Sequence, residues 1–162
     1  MKKNISKIVC ILASLLLVFT LVGCGSNTSK QNEEAQKMLK EAVDAAFNEA
    51  EQNGLESSTV TLETISAHDK IKQLIKKDTE TILEMYPDIY TAIETEFSGN
   101  NVEYRYYYVQ GYEIDVEQLK EADWDEIVKE TSDSFEQGWR VRPESITYKH
   151  YDYQGNMVYS NN

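Results

Sequence analysis

The chain has two histidines, the side chains that most often act as general bases near neutral pH. A catalytic nucleophile needs such a base, and the base needs an orienting group. His68 stands next to Asp69 at a predicted helix start, where a capping or surface role is favoured over a catalytic dyad. His150 lies among tyrosines in a predicted strand, where partial burial is favoured. Motifs of serine hydrolases, zinc proteases, P-loop proteins and dinucleotide-binding proteins do not occur, so the sequence does not support those chemistries.

Carboxylates are the second group of side chains that could act in catalysis or bind a metal, since Asp and Glu together number 28. Two carboxylates at a set separation are what a glycosidase requires, but with so many acids some pair meets that requirement by chance. The densest acidic patch consists of Asp123, Asp125, Glu126, Glu130 and Asp133. Calcium binds such oxygens, but these residues follow a helical segment instead of alternate loop positions. A solvated helix face is therefore favoured, and the sequence predicts neither a metal nor a cofactor.

Tyrosines are the third group, and all 11 lie between Tyr86 and Tyr159. A tyrosine ring combines apolar area with a hydroxyl that tolerates water, which suits stacking on sugar rings or contact with a protein. Five of them in predicted strands are candidate binding residues: Tyr104, Tyr106 and Tyr108 on one strand face, with Tyr107 and Tyr151 on the other. For the Tyr104 face, packing beneath helices is the favoured alternative. A tyrosine face left open would be the best binding candidate.

The first 23 residues have the organisation of a secretory signal peptide. Three lysines in residues 1–7 precede an apolar run over residues 8–22. A membrane-spanning helix needs about 20 apolar residues, and this run ends sooner, at Gly23. An uncleaved membrane anchor is the less favoured alternative.

The end of the apolar run has the order Leu21, Val22, Gly23, Cys24. This order resembles the lipobox of bacterial lipoproteins, and the resemblance implies that the thiol of Cys24 receives a diacylglyceryl group and that the signal peptide is cut just before it. A thiolate is nucleophilic enough to take the lipid as a thioether. Each buried methylene contributes about 0.8 kcal/mol, so two acyl chains hold a protein firmly in a membrane. We expect a lipoprotein anchored in the cell membrane and facing the extracellular side.

Removal of residues 1–23 eliminates three lysines and changes the formal net charge from −12 to −15. Such a balance excludes a nucleic-acid partner recognised through a basic surface. An acidic body is also repelled by an anionic membrane leaflet, so the net charge predicts that the folded part stands off the membrane. Cys10 leaves with the signal peptide and Cys24 is blocked by lipid, which excludes a disulfide scaffold and a cysteine-built metal site.

The mature chain is interpreted as a flexible tether, residues 24–32, and a single α+β domain, residues 33–162. Its first part, residues 33–99, is predicted to be helical. Apolar residues recur at spacings of three and four over residues 33–53, and the same spacing runs from Ile71 to Phe97, where Pro87 is expected to kink or split the helix. Residues 57–66 fit either a strand or a short helix, and the helix is favoured.

The second part of the domain, residues 100–162, is predicted to form a strand, a helix and a hairpin. Residues 102–108 alternate as in a strand, and Asp115 opens a helical segment that reaches Gly138, with a second capping signal at Asp123. Residues 145–153 and 157–160 are predicted to pair around a turn at Gly155. The expected fold is α+β, with the helices packed on one face of a small, about three-stranded antiparallel sheet that ends in a C-terminal β-hairpin.

The C-terminal half carries the segments NNVEYRYYYV from Asn100 and ITYKHYDYQGNMVYS from Ile146, with Phe135 in the helix between them. These segments resemble a domain of unknown function found in small lipoproteins of Gram-positive bacteria. Gln154 departs from that pattern, in which an aspartate commonly precedes the glycine. The resemblance implies localisation as a lipoprotein and a fold of a strand, a helix and a hairpin, and it implies no known activity.

Together these observations favour a membrane-anchored extracytoplasmic lipoprotein whose domain is a non-enzymatic module that binds a protein or an envelope component. The alternative is a cell-envelope hydrolase that cleaves wall polysaccharide with carboxylates. A cleft with two facing acids, one of raised pKa, would favour the enzyme. A shallow tyrosine-rich surface would favour the binding module.

Overall fold

The computed structural model describes residues 29–162, so the signal peptide, Cys24 and the beginning of the predicted tether lie outside it. The helices are α1 Ser29–Gln52, α2 Leu62–Ser66, α3 Asp69–Met85, α4 Val116–Lys120 and α5 Trp124–Trp139. The strands are β1 Tyr90–Ser98, β2 Asn101–Tyr108, β3 Ser145–Tyr151 and β4 Met157–Ser160. Within the described range, no helix combines the length and the apolar character that crossing a membrane requires.

The first helix, α1, begins at Ser29, inside the segment that we interpret as a tether. Its core-facing residues keep the predicted spacing of three and four and are Leu39, Ala42, Val43, Ala46 and Ala50. Residues 57–66 contain a 3-10 turn, Ser57–Thr59, followed by α2, which confirms the helical interpretation of this segment. Thr61 caps α2, because its side chain accepts a hydrogen bond from the backbone N–H of Thr64 at 3.3 Å.

The prediction that helical structure continues to Phe97 is wrong beyond α3. Helix α3 ends at Met85, two residues before Pro87, because a residue that precedes proline is driven towards extended backbone. The chain then forms β1. An apolar spacing that mimics a helix persists here because a β-bulge lies between Tyr90 and Ala92, and the extra residue shifts the alternation of side chains by one position.

The sheet has the strand order β1-β2-β3-β4. Strands β1 and β2 form one antiparallel hairpin, and β3 and β4 form a second. Between them β2 and β3 run parallel, with Val102 opposite Ile146. The α+β class is confirmed, but the sheet is mixed and four-stranded instead of antiparallel and about three-stranded. The physical reason is that α4 and α5 form a crossover, which returns the chain to the same end of the sheet before β3 begins.

One face of the sheet contributes to the hydrophobic core. Val102 and Ile146 on this face belong to the same buried cluster as Val43 of α1, Ile71 of α3 and Phe135 of α5. The side chains on the opposite face keep substantial exposure, as shown by Arg105 at 30% and Glu94 at 56%. The helices therefore cover one face, and no described element covers the other, which we call the open face.

Candidate functional site

Three of the five candidate tyrosines lie in the core. Tyr104, Tyr106 and Tyr108 of β2 are at most 4% exposed. Desolvation raises the pKa of each phenol above its usual value. The ring of Tyr104 stacks on Tyr148 at 5.2 Å between centroids, and that of Tyr106 stacks on His150 at 5.1 Å. A partner at the surface does not reach these three rings.

The other two candidates, Tyr107 and Tyr151, form a pair on the open face. They stand opposite each other on β2 and β3, with ring centroids 4.9 Å apart and planes 18° from parallel. Ala92 pairs with Tyr107 on the β1 side, and Met157, 56% exposed, pairs with Tyr151 on the β4 side. This row of four residues, Ala92, Tyr107, Tyr151 and Met157, crosses the sheet and presents an aromatic and apolar strip, which we call the tyrosine strip.

A charged network borders the tyrosine strip. Tyr107 donates its hydroxyl hydrogen bond to Glu94 Oε2 at 3.2 Å. Desolvation and then the charge of Glu94 raise the pKa of Tyr107. Arg105 forms ion pairs with Glu94, Glu96 and Glu103, and the Glu103 pair measures 2.6 Å from Nε to Oε1.

Glu103 also accepts a hydrogen bond from Lys149, at 2.6 Å between Nζ and Oε2. Partial desolvation raises the pKa of Glu103, but the hydrogen bonds from Lys149 and Arg105 outweigh it and lower the pKa overall. Both cations described on the open face are therefore already paired with carboxylates.

The two histidines lie in the core and at a helix start. His150 is fully buried, more deeply than predicted, and its Nδ1 shares a hydrogen bond of 2.9 Å with the Tyr108 hydroxyl. Desolvation lowers its pKa to about 4, so the ring is neutral at pH 7. His68 occupies the N-cap position of α3 without a side-chain capping bond, and its Nε2 lies 3.6 Å from Glu49 Oε2 of α1. Neither ring is arranged as the base of a catalytic dyad.

The acidic patch is held by helix capping and by ion pairs. Asp123 caps α5, because its Oδ1 accepts the backbone N–H of Glu126 at 3.1 Å. Asp133 lies 2.8 Å from the Arg142 guanidinium, which lowers the pKa of the carboxyl. Over residues 29–162 no group of three or more metal-ligating side chains converges. Asp125 and Glu130 are exposed on α5.

A functional group that the sequence interpretation missed is Asp78 of α3. The residue is 8% exposed and borders a cavity of about 20 Å³, next to Thr95, Tyr104 and Trp139. Desolvation raises the pKa of Asp78 to about 7, although the charge of Lys77 opposes the change. The signal was present in the apolar stripe of α3, where Asp78 continues the spacing of the buried Ile71, Leu74 and Ile82.

The cavity beside Asp78 has room for about one water molecule and is far too small for a sugar ring. Asp78 is the one carboxylic acid among the residues that line it. The geometry therefore offers a single acid of raised pKa without a facing partner, which does not meet the two-carboxylate requirement of a glycosidase. No protein-family model, curated protein or solved structure matches the chain.

Proposed function

We propose that the protein is an extracytoplasmic lipoprotein, anchored through a diacylglyceryl group on Cys24, whose folded domain is a non-enzymatic binding module for a protein or an envelope component. The observation that supports this function best is the tyrosine strip on a sheet face that no described element covers. The resemblance of residues 21–24 to a lipobox supports the anchor.

The tyrosine strip has the physical properties of a binding surface. The two stacked rings hold each other in place, so little side-chain entropy remains to be lost when a partner binds. Met157 adds a flexible apolar side chain at one end, and Ala92 leaves one side of the Tyr107 ring without a large neighbour. Tyrosines that become buried when a partner binds carry much of the binding energy at protein interfaces.

The surrounding charges support an uncharged or basic partner. Arg105 and Lys149 are held by Glu94, Glu96 and Glu103, so the five charged residues of the open face sum to a net charge of −1. A shallow surface of this kind suits contact with a polypeptide or a flat sugar face. A hydrolase instead needs a cleft that holds two acids, and the acid of raised pKa, Asp78, borders a cavity of about 20 Å³ on the covered side of the sheet.

Crosslinking in intact cells that produce the protein tests the binding face. We expect Tyr107→Ala combined with Tyr151→Ala to weaken partner affinity about 1000-fold and so to reduce capture strongly, because interface tyrosines of this type contribute about 2 kcal/mol each and every 1.4 kcal/mol is a factor of ten. The matched control is Tyr153→Ala, which removes a 55% exposed tyrosine from the neighbouring turn. Undiminished capture by the double variant, or equal loss in the control, would overturn the proposed face.

The mass of the intact mature protein tests the anchor. We expect a chain that begins at Cys24 and carries the added mass of a diacylglyceryl group. The Cys24→Ala variant should accumulate as the uncut precursor. A mature protein with a free thiol at Cys24 would refute the anchoring mechanism while leaving the binding face untouched.

A further inference from the structure

Helices α1 and α3 border a groove of about 340 Å³ on the helical side of the domain. The groove is lined by Met38, Glu41, Lys70, Gln73, Leu74 and Lys77. Met38 is 46% exposed, so an apolar side chain lies open to water at its rim. The groove therefore combines two lysines and one acid with polar and apolar side chains, and lysines beside apolar side chains are what interfacial helices present to a lipid surface.

Two lysines in this groove differ from most other cations of the protein. Eight described Lys and Arg side chains form ion pairs with carboxylates. Lys70 and Lys77 have no such pair among the described residues. They stand two helical turns apart on the same side of α3, about 10 Å along its axis. Glu41, the one acid that lines the groove, lies 3.9 Å from Lys37 and is partly neutralised by it.

We propose that this groove docks on the anionic headgroups of the bilayer in which Cys24 is anchored. The inference rests on the proposed lipid anchor, because the anchor holds the domain close to the surface. Residues 24–28 separate Cys24 from the start of α1, and five residues span at most about 18 Å. Met38 lies nine residues further along α1, which adds about 14 Å along the helix axis. The groove is therefore within reach of the membrane surface.

Docking at the groove would give the acidic domain one orientation on an anionic surface, in place of the stand-off that the net charge alone predicts. The net charge of −12 on the full sequence, which becomes −15 without residues 1–23, repels the bilayer as a whole. The groove side is an exception, because Lys70 and Lys77 outnumber Glu41 there and give the lining a net charge of +1. Since α3 belongs to the layer that covers the inner face of the sheet, docking there leaves the tyrosine strip turned away from the membrane and free for a partner.

The test uses the lipidated full-length product, reconstituted in vesicles and labelled with a fluorophore at a single new cysteine. Gln73→Cys places the label in the groove, and Gln154→Cys places it in the turn between β3 and β4, at the opposite sheet edge from β1, which α3 contacts. Quenching by spin-labelled lipid reports contact with the bilayer. We expect strong quenching at position 73 and weak quenching at position 154 in vesicles that contain phosphatidylglycerol, with much less quenching at position 73 in pure phosphatidylcholine.

Charge variants decide whether the lysines carry the contact. Each lysine near an anionic surface contributes about fivefold to the docked population, so Lys70→Gln with Lys77→Gln should lower the ratio of docked to undocked protein about 25-fold. The control is Lys120→Gln with Lys129→Gln, on α4 and α5. This variant removes the same number of positive charges as the test variant and should leave quenching unchanged.

The outcomes separate this inference from the anchor. Protein that floats with the vesicles but shows no quenching at position 73, or equal quenching at both positions, would overturn the docking surface and leave the anchor standing. Protein that does not float would instead refute the anchor, and the docking inference would fall with it.

Discussion

Replacing Asp78 with Asn should stabilise the protein at high pH and leave its stability at low pH nearly unchanged. Asp78 is 8% exposed, and burial raises the pKa of its carboxyl from 3.8 to about 7. Because the folded state binds the proton more tightly than the unfolded state, the wild type loses stability as the pH rises from about 4 to about 7. Asn has the shape of the protonated acid and does not titrate.

The size of the effect follows from the change in pKa. One pKa unit corresponds to about 1.36 kcal/mol, so a rise from 3.8 to about 7 corresponds to about 4 kcal/mol. Asp78 keeps some exposure to solvent, which screens part of this energy, so we expect an advantage of about 2–4 kcal/mol for Asp78→Asn at pH 7.5 over its value at pH 4.

Urea unfolding at pH 4, 5.5 and 7.5 measures this difference. The wild type and the variant are compared at each pH, so that the contributions of all other titrating groups to the free energy of unfolding cancel. The matched control is Asp88→Asn, which makes the same substitution at an exposed position. A stability difference between wild type and Asp78→Asn that is the same at all three pH values would refute the assignment of a buried, protonated carboxyl.

The remaining predictions concern the core and a turn, and urea unfolding measures each. His150→Phe should abolish a rise in stability between about pH 4 and 6.5, because the buried ring has its pKa lowered from 6.5 to about 4 and must stay neutral in the folded state; an unchanged pH profile would contradict this. Thr131→Val should lower the free energy of unfolding by about 1–3 kcal/mol at all pH values, because the buried Tyr148 hydroxyl loses a partner at 2.6 Å; a neutral effect would argue against that bond. Gly99→Ala should lower it by about 1 kcal/mol, because Gly99 has φ +59° in the turn between β1 and β2, and equal stability would argue against that conformation.

Local patterns predicted much of the second half of the fold correctly. Alternation over residues 102–108 predicted β2, and the capping residues Asp115 and Asp123 begin α4 and α5 through bonds to backbone N–H groups. These features depend on neighbours within four residues along the chain. Sequence spacing alone therefore contains the necessary information.

The predictions from sequence were wrong where pairing between distant strands decides the structure. β1 looked helical because its bulge places Tyr90 and Ile93 on the same face three residues apart, and only pairing with β2 makes it a strand. The parallel alignment of β2 with β3 depends on the path of the crossover through α4 and α5. Neither property is encoded in a local period.

At the candidate site, too, local patterns predicted one property and tertiary packing decided another. Strand alternation separated Tyr104, Tyr106 and Tyr108 from Tyr107 and Tyr151, because side chains of a strand point alternately to its two faces. Which of the two faces stays open depends on where the helices pack. The tertiary structure places the first three rings in the core and leaves the stacked pair of Tyr107 and Tyr151 on the open face.

The sequence by itself determined the composition, the acidic charge, the α+β class and the prediction of a lipid anchor at Cys24, because these follow from residue types and from spacing along a short segment. Only the tertiary structure decided the mixed sheet, the burial of Asp78 and the groove that holds Lys70 and Lys77. The physical reason is that exposure and proximity of distant residues arise when whole elements pack together. The burial of the Asp78 carboxyl and the placement of Lys70 and Lys77 in a groove arise only when the helices pack.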